Sequence, residues 1–571
     1  MDDHILLLGL AAAGAAFLPV LKRRLELSRA KHRSLAGHAK LAKRVAKLVP
    51  FYAYGDGDLW RADGAPADVE ARRRTALADL STTYARLFPR TIAQTQAARG
   101  AISDLQFTDR YRVPFQFSRH VSELLPMGSF LAASGGVNVT DLDGNQFYDL
   151  TGSYGANVFG YDFYKECIAE GSARVAALGP VLGAYHPCVA WNARRLREIS
   201  GLDEVSFHMS GTEAVMQAVR LARYHTGRTH LVRFCGAYHG WWDDVQPGIG
   251  NPALVGRTYT LKDMHEDSLR VLRSRRDIAC VLVNPLQALH PNSNAPGDGS
   301  LVDSSRNAHF DREAYAAWLR QLRAVCDQRG IVLIFDEVFV GFRIAPGGAQ
   351  QYFGVRADLV TYGKTLGGGL PVGVVCGRSA LMKRWREERP ADICFARGTF
   401  NSHPYVMGAM QVFLERIDTP ELRAAYEGLD ERWNHRADLL NARLATAGLP
   451  VRVANLSTIW TVTYTEPSRY NWMLQYYLRA EGLALSWVGT GRLIFSFNYT
   501  DADFEDVAQR FVAAAQKMQA AGWWWHAPAL TNRAIRRRIL REMIAQHFRA
   551  DEQRQPPHDE TVSPPPHAHA R

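Results

Sequence analysis

Short apolar segments alternate with stretches of helical periodicity from about residue 120 to residue 520, and this alternation constrains the fold most strongly. The clearest segments are EVSFHM (204–209), THLVRF (229–234), ACVLVNP (279–285), IVLIFDEV (331–338) and ADLVTYG (357–363). Several are apolar on both faces, as strands covered by helices on both sides are. The pattern predicts an α/β protein with a mainly parallel sheet. Ligands of such sheets bind at the carboxyl ends of the strands.

Small hydroxyl-bearing residues follow the first segment. Ser210, Gly211 and Thr212 lead into a stretch of helical spacing, where free N–H groups at a helix start can bind a phosphate. Serine and threonine also cap many ordinary helices, so this turn alone is weak evidence for a site.

Charged residues follow two later segments. Asp336 stands where a buried carboxylate requires a cationic or hydrogen-bonding partner. Lys364 precedes three glycines; it is either a solvated loop residue or a buried amine with a lowered pKa, suited to Schiff-base chemistry. The glycines predict a close approach of the backbone to a ligand. A phosphate turn, a carboxylate and an amine in this order supply the contacts that pyridoxal 5′-phosphate requires.

Five longer motifs around these residues resemble the class III pyridoxal-phosphate aminotransferases of fold type I, particularly the branch that contains glutamate-1-semialdehyde aminomutase. They are LDGNQFYDLTGSYGANVFGY (142–161), SFHMSGTEAVMQAVRLAR (206–223), GAYHGWWDD (236–244), LIFDEVFVGFRIAPGGAQQYFGVRADLVTYGKTLGGGLPVG (333–373) and GTFNSHP (398–404). The resemblance runs from about Gly128 to Met518. It implies an α/β large domain that binds the cofactor and a smaller α+β domain built from N- and C-terminal segments.

The resemblance also implies roles for individual residues. Lys364 matches the lysine that attaches the cofactor and moves a proton on the substrate. Asp336 matches the carboxylate that keeps the pyridine nitrogen protonated. Tyr238 matches the aromatic ring that stacks on the cofactor, with His239 beside it. The turn of Ser210, Gly211 and Thr212 matches the phosphate-binding turn.

One residue is implied to act in the neighbouring subunit. Thr399 matches a threonine that reaches the phosphate across a subunit interface, which implies a homodimer with shared active sites. Tyr154 matches an aromatic position in the substrate pocket.

Three residues or segments depart from the family's pattern: the first loses a hydrogen bond to the cofactor's phenolic oxygen, the second removes an acidic group near the site, and the third concerns the substrate. Phe339 replaces a common glutamine, Asn284 replaces a common glutamate, and the segment 123–130 lacks the arginine with which the aminomutase binds its substrate. Arg492 instead stands where aminotransferases keep an arginine for an amino-acid carboxylate, a bidentate pairing that suits a guanidinium. The alternative is that Arg492 is a surface charge on a strand.

Three functions remain open on this basis. The first is transfer of an amino group from an amino-acid donor to a carbonyl acceptor, for which we expect a hydrophobic or lipid-like aldehyde or ketone of a biosynthetic pathway. The second is an intramolecular aminomutase reaction with the same residues. The third is a membrane-bound scaffold with a non-catalytic site, against which the presence of Lys364 and Asp336 argues.

The N-terminus suggests a membrane location for the chain. Residues 5–21 carry no charge, and ten Lys or Arg against one acidic residue follow in 22–47, out of a net charge of +11. We expect 5–21 to be a membrane anchor that leaves the catalytic body in the cytoplasm; a cleaved signal and a packed helix are the alternatives. The rest of the chain is nearly balanced in charge, which argues against nucleic-acid binding. Seven scattered cysteines without a CxxC pair indicate a reducing compartment and no metal site.

The C-terminal segment has two interpretations. Trp523–Trp525 and the basic helix after them form either a second membrane contact or a final helix that covers the core. The predicted organisation begins with a membrane anchor and basic segment (1–47) and a helical extension (48–120). The first part of the small domain (121–190), the large domain (191–411) and the second part of the small domain (412–525) follow. A basic helix with a Pro/His-rich tail (526–571) ends the chain.

Overall fold

The structure is a computed structural model that describes residues 18–31, 44–246, 250–252, 256–285, 308, 310–486 and 491–552. Its strands are β1 (Leu131–Gly135), β2 (Asn138–Asp141), β3 (Gln146–Asp149), β4 (Glu204–His208), β5 (His230–Phe234), β6 (Thr258–Leu261), β7 (Ile278–Val283), β8 (Val332–Asp336), β9 (Leu359–Gly363), β10 (Gly373–Gly377), β11 (Val451–Leu456), β12 (Ile459–Tyr464), β13 (Leu483–Ala484) and β14 (Arg492–Ile494).

Helices cover these strands. The longer ones are 18–30, Ala67–Leu87, Pro89–Arg99, Ser103–Tyr111, Phe115–Leu124, Tyr161–Val175, Cys188–Ser200, Gly211–Thr226, Glu266–Ser274, Arg312–Arg329, Pro404–Arg416, Leu429–Thr446, Asp501–Ala520 and Asn532–Glu552. The shorter ones are Asp56–Trp60, Gly152–Gly155, Gly348–Phe353, Lys364–Gly367, Ser379–Met382, Pro420–Ala424, Asn471–Met473 and Leu474–Ala480.

The largest sheet contains seven strands in the order β4-β10-β9-β8-β7-β5-β6. The pairs from β6 to β9 are parallel, and β10 is antiparallel to both of its neighbours. Because β10 runs against both, β4 points the same way as β9, and the carboxyl ends of β4, β8 and β9 share one edge of the sheet. The predicted mainly parallel sheet and all five predicted strands are confirmed.

The strands at the centre of this sheet are enclosed on both faces. Every residue of β7, β8, β9 and β10 is buried. Apolar residues on both faces of a strand therefore meet helices on both sides, which is why their sequences do not alternate with polar residues.

Two smaller sheets belong to a second hydrophobic cluster. One has the order β1-β2-β3-β13 and the other β11-β12-β14, so residues before 150 and after 450 are joined. Aromatic rings fill this cluster, among them Trp433, Trp460 and Phe495. The composition from both ends of the chain agrees with the predicted small α+β domain, whose exact boundaries stay a prediction.

The extension before residue 120 packs on this second cluster. Arg73 is fully buried and pairs with Asp63 at 2.6 Å. Its guanidinium also donates to the carbonyl oxygens of Trp60 at 2.6 Å and Gly522 at 2.9 Å. A buried ion pair and its hydrogen bonds thus connect residues from the two ends of the chain. The sequence did not indicate this structural role of Arg73.

The C-terminal segment closes the same region. Trp523 donates its indole N–H to the Tyr477 hydroxyl at 3.0 Å, and both Trp523 and Trp524 are buried. The interpretation of these two tryptophans as a membrane contact is therefore wrong, because their rings lie in the core. The following helix brings Glu542 to Arg469, with an oxygen–nitrogen distance of 2.8 Å.

The predicted anchor, 5–21, lies outside the described residues except for 18–21, which are helical. Within the described ranges, the structure contains no helix that is long and apolar enough to cross a membrane.

Candidate active site

A cavity of about 650 Å³ opens at the shared carboxyl edge of β4, β8 and β9. It brings together most of the residues that the sequence singled out. The predicted residues in its wall are Tyr154, Ser210, Gly211, Thr212, Tyr238, His239, Asp336, Lys364 and Arg492. A cavity of this volume is typical of a small-molecule site.

Lys364 begins a short 3₁₀ helix directly after β9 and has a positive φ of 48°. Burial lowers the pKa of its amine, the Asp336 carboxylate raises it, and the Arg343 guanidinium lowers it further. Its Nζ lies 5.7 Å from the centroid of the Phe339 ring. Lys364 is a half-buried residue at a strand end whose side chain lines the cavity, and the alternative of a solvated loop residue is wrong.

The glycines after Lys364 contact protein, not the cavity. Gly368 has a φ of +61°, and a Cβ added there would lie 2.5 Å from the carbonyl oxygen of Ala409. A Cβ added at Gly369 would lie 3.0 Å from Ile168. The predicted close approach of this backbone to a ligand is wrong; the glycines allow the turn to pack against the helices Tyr161–Val175 and Pro404–Arg416.

Asp336 is paired with His239 in the wall of the cavity. The Oδ2 of Asp336 lies 2.7 Å from the Nδ1 of His239, and both side chains are buried. The carboxylate also accepts from the Val338 N–H at 3.2 Å and the Thr361 hydroxyl at 3.3 Å. Burial lowers the pKa of His239, and Asp336 opposes that shift. The sequence indicated that Asp336 needs a partner but did not identify this pair, which joins residues 97 positions apart.

The turn after β4 starts the helix Gly211–Thr226 at the cavity. Ser210 caps this helix, and its Oγ accepts from the Glu213 N–H at 3.2 Å. The first N–H groups of a helix have no hydrogen-bond partner within the helix, so those of Gly211–Thr226 can donate to a ligand in the cavity. A Cβ added at Gly211 would lie 2.6 Å from Val338, which explains the glycine.

The loop that carries Tyr238 lies over this turn. The backbone carbonyl oxygen of Tyr238 accepts from the side-chain amide of Asn284 at 3.1 Å, and the Tyr238 ring is exposed at the cavity mouth. Asn284 itself lines the cavity. The residue that replaces the family's glutamate therefore holds the loop whose ring is predicted to stack on the cofactor.

Arg492, on β14, lines the cavity instead of the outer surface. Burial lowers the pKa of its guanidinium to about 10. Its Nε has no hydrogen-bond partner, and no ion pair joins it to any residue that the structure describes. A half-buried arginine whose Nε is enclosed and has no carboxylate partner fits an anionic group that enters the cavity.

Two predicted residues remain at the margin. Tyr154 lies at the rim with a positive φ of 57° and a largely exposed ring. Thr399 is exposed and does not line the cavity. Its contribution to a neighbouring subunit stays a prediction.

Residues 121–244 and 311–515 match the family model described as aminotransferase class-III. The chain belongs to this family. A glutamate-1-semialdehyde 2,1-aminomutase of Nitratidesulfovibrio vulgaris (strain DP4) is 34% identical over 391 residues, which are 66% of this chain and 89% of that protein. An omega-transaminase structure from Sphaerobacter thermophilus is 25% identical with a TM-score of 0.59, and covers 73% of this chain and 97% of its own.

A third relative supports the fold alone. A glutamate-1-semialdehyde-aminomutase structure from Pseudomonas aeruginosa PAO1 is 19% identical with a TM-score of 0.63, and covers 78% of this chain and 99% of its own. The fold is fold type I, and the cofactor of the family is pyridoxal phosphate. The residues present here fit that cofactor: a half-buried amine, a buried carboxylate–imidazole pair and a helix start face one cavity.

Proposed function

We propose that this class III enzyme is an aminotransferase that moves an amino group from an amino-acid donor to a carbonyl acceptor. The observation that carries the proposal is Arg492, a half-buried arginine that lines the cavity and has no carboxylate partner among the described residues. An amino acid presents a carboxylate beside the amine that reacts. An arginine can bind that carboxylate bidentately and so direct the amine toward Lys364.

Four residues of the cavity have tasks in this proposal, namely Lys364, Asp336, His239 and Thr212. Pyridoxal phosphate, when bound, supplies an electron sink that makes a proton on the substrate α-carbon acidic. Lys364 would hold the cofactor through its amine, and the same amine, whose lowered pKa favours the unprotonated form, would take the α-proton of the substrate. The Asp336 carboxylate, oriented by His239, would hold a proton on the ring nitrogen. Thr212 and its neighbours would bind the phosphate.

The acceptor is proposed to be hydrophobic. Apolar side chains line part of the cavity, among them Val338, Phe339 and Ile494. Phe339 also replaces a residue able to donate a hydrogen bond, which makes this wall less polar than in relatives with glutamine. An aldehyde or ketone with an apolar chain gains most from such a wall.

The active unit is proposed to be a homodimer with shared sites. Large apolar side chains stand exposed on the single chain, among them Tyr185, Trp241, Phe395 and Phe400. Phe400 directly follows Thr399, the residue predicted to enter the neighbouring site. A second copy that covers these rings would also bring Thr399 to the phosphate.

An aminomutase remains the second candidate, because curated relatives of this chain carry that name. An aminomutase returns the amino group to the same carbon skeleton and consumes no separate donor. The two reactions therefore differ in the fate of a labelled nitrogen.

The test is mass spectrometry of the products formed from ¹⁵N-labelled amino-acid donors, offered singly, with a series of aldehydes of increasing chain length. We expect ¹⁵N in the amine product of the longer aldehydes, and no product from Lys364→Ala. An isomeric amino-carbonyl product formed from an amino-carbonyl substrate alone, without any donor, would favour the aminomutase. Binding of pyridoxal phosphate with no turnover of any donor would favour the scaffold.

A further inference from the structure

The helical extension carries a surface that the catalytic proposal does not use. A second cavity of about 730 Å³ lies among the helices Pro89–Arg99, Ser103–Tyr111 and Phe115–Leu124. All of its lining residues except Ser122 precede the part of the chain that matches the family. Its wall includes Phe51, Arg99, Gln106, Arg110 and Arg119.

Positive charge predominates in this wall. Three arginines face one carboxylate, Asp109, which pairs with Arg99 at 2.6 Å. Arg119 forms an ion pair with the exposed Glu123 at 3.5 Å, and exposed pairs of this kind contribute little. Arg110 forms no ion pair with another described residue; its guanidinium lies 4.8 Å from the centroid of the Phe51 ring. At least one guanidinium is therefore open to an external anion.

Exposed aromatic rings stand next to these arginines. Phe107 and Tyr111 lie four residues apart on one helix, their ring centroids are 4.9 Å apart, and each ring is 54% exposed. Gln106 and Arg110, also four apart, face the cavity from the neighbouring stripe of the same helix. That helix has no buried residue at all. Aromatic and cationic side chains thus form adjacent stripes on one exposed helix.

The surface continues toward the basic N-terminal segment. Leu48 and Val49 are exposed and stand directly after the basic residues of 22–47. Phe51, in the cavity wall, follows two positions later and is 58% exposed. The chain therefore passes from a segment with nine excess positive charges straight onto a surface of apolar, aromatic and arginine side chains.

We propose that this aromatic–arginine surface, formed by Leu48, Val49, Phe51, Phe107, Tyr111, Arg99, Arg110 and Arg119, docks on an anionic lipid bilayer. Aromatic rings and arginines that share one exposed face are suited to the interface of a membrane, where the rings enter the headgroup region and the guanidiniums meet lipid phosphates. The docking does not require 5–21 to span the membrane. It places the extension, and not the catalytic sheet, against the lipid.

The test is a site-specific fluorescence measurement on the full-length holoenzyme. All seven native cysteines are buried, so a single new cysteine can be labelled selectively with an environment-sensitive dye. The variant Phe107→Cys places the dye on the surface. The matched control Gln321→Cys places it on an exposed position of the helix Arg312–Arg329, which packs on the large sheet. Each protein is mixed with vesicles of phosphatidylcholine alone or with 30% phosphatidylglycerol.

The proposal requires a blue-shifted, brighter emission from position 107 with anionic vesicles, a smaller response with neutral ones, and none from position 321. Arg110→Gln with Arg119→Gln should raise the anionic lipid concentration needed for half of that change by about 30-fold, about fivefold for each arginine. Turnover of a water-soluble donor should not change. Sedimentation with vesicles without a response at position 107 would overturn the proposal, since the N-terminal segment then binds alone. A response that needs no lipid and grows with protein concentration would overturn it in favour of an interface between copies.

Discussion

The substitution Asp336→Asn separates the chemistry of the site from its architecture. The amide keeps an oxygen that accepts from the Val338 N–H and the Thr361 hydroxyl, as the carboxylate does at 3.2 and 3.3 Å. Its NH₂ group can donate to the Nδ1 of His239, which then takes the other tautomer. We therefore expect the variant to fold and to bind pyridoxal phosphate through Lys364.

The substitution Asp336→Asn removes a negative charge from the site. A neutral amide cannot hold a proton on the ring nitrogen, so the electron sink weakens while binding persists. In a water-excluded site one such preorganised group contributes roughly 3–4 kcal/mol to the transition state, and we expect turnover to fall by about 10²–10³-fold. His239→Asn should have a smaller effect, because it leaves the carboxylate in place and removes only its orientation.

The assay is the rate at which the absorbance of the bound cofactor changes after mixing with an amino-acid donor. The matched control is Asp358→Asn. Asp358 is also buried on the large sheet and accepts from the Leu333 N–H at 2.8 Å, but it precedes β9 and lies at the opposite edge from the cavity. We expect the control to lose stability and to keep its rate per bound cofactor. An Asp336→Asn enzyme that reacts at the wild-type rate would refute the role of the carboxylate.

Three further outcomes follow from the same contacts. Burial holds the pKa of Lys364 below its usual value of 10.5, so between the lowered pKa and 10.5 the unfolded chain binds more protons than the folded one, and the apoenzyme becomes more stable as the pH rises through that range. The variant Lys364→Met should therefore have a higher melting temperature than the wild-type apoenzyme near neutral pH. This difference should shrink at higher pH. Arg73→Met leaves the buried Asp63 carboxylate without its partner and should cost about 3–5 kcal/mol in a denaturant titration, whereas adding Asp63→Asn should recover part of the loss. Arg492→Gln should raise the KM for amino-acid donors by roughly 10–100-fold with little change for amines that lack a carboxylate, and equal losses on both would contradict a carboxylate site.

The sequence predicted the catalytic half of the molecule better than the rest, for a physical reason. Strands that are apolar on both faces, and polar residues at their ends, are local patterns, so β4, β8 and β9 and the positions of Asp336 and Lys364 follow from short segments. Side chains that pair across a long sequence separation leave no local pattern. The pairing of His239 with Asp336 depends on how two loops meet after folding.

The extension shows the same limit more strongly. Arg73 reads as one of three consecutive arginines on an amphipathic helix, and its burial depends on Asp63 and on a carbonyl oxygen 449 residues later. Trp523 and Trp524 favour a membrane interface by composition, yet Tyr477 and Asn471 take their indole N–H groups inside the core. The glycines after Lys364 have the same conformational freedom whether a ligand or a helix lies beside them, so only the structure identifies Ala409 as the neighbour.

The central claim, that Lys364 is the covalent anchor of the cofactor, has a direct test. The protein is incubated with pyridoxal phosphate, treated with borohydride to fix the bond between amine and cofactor, digested, and analysed by peptide mass spectrometry. We expect one modified peptide, with the added mass on Lys364, and no modified peptide from Lys364→Ala. A label on another lysine, or none at all despite bound cofactor, would contradict the account.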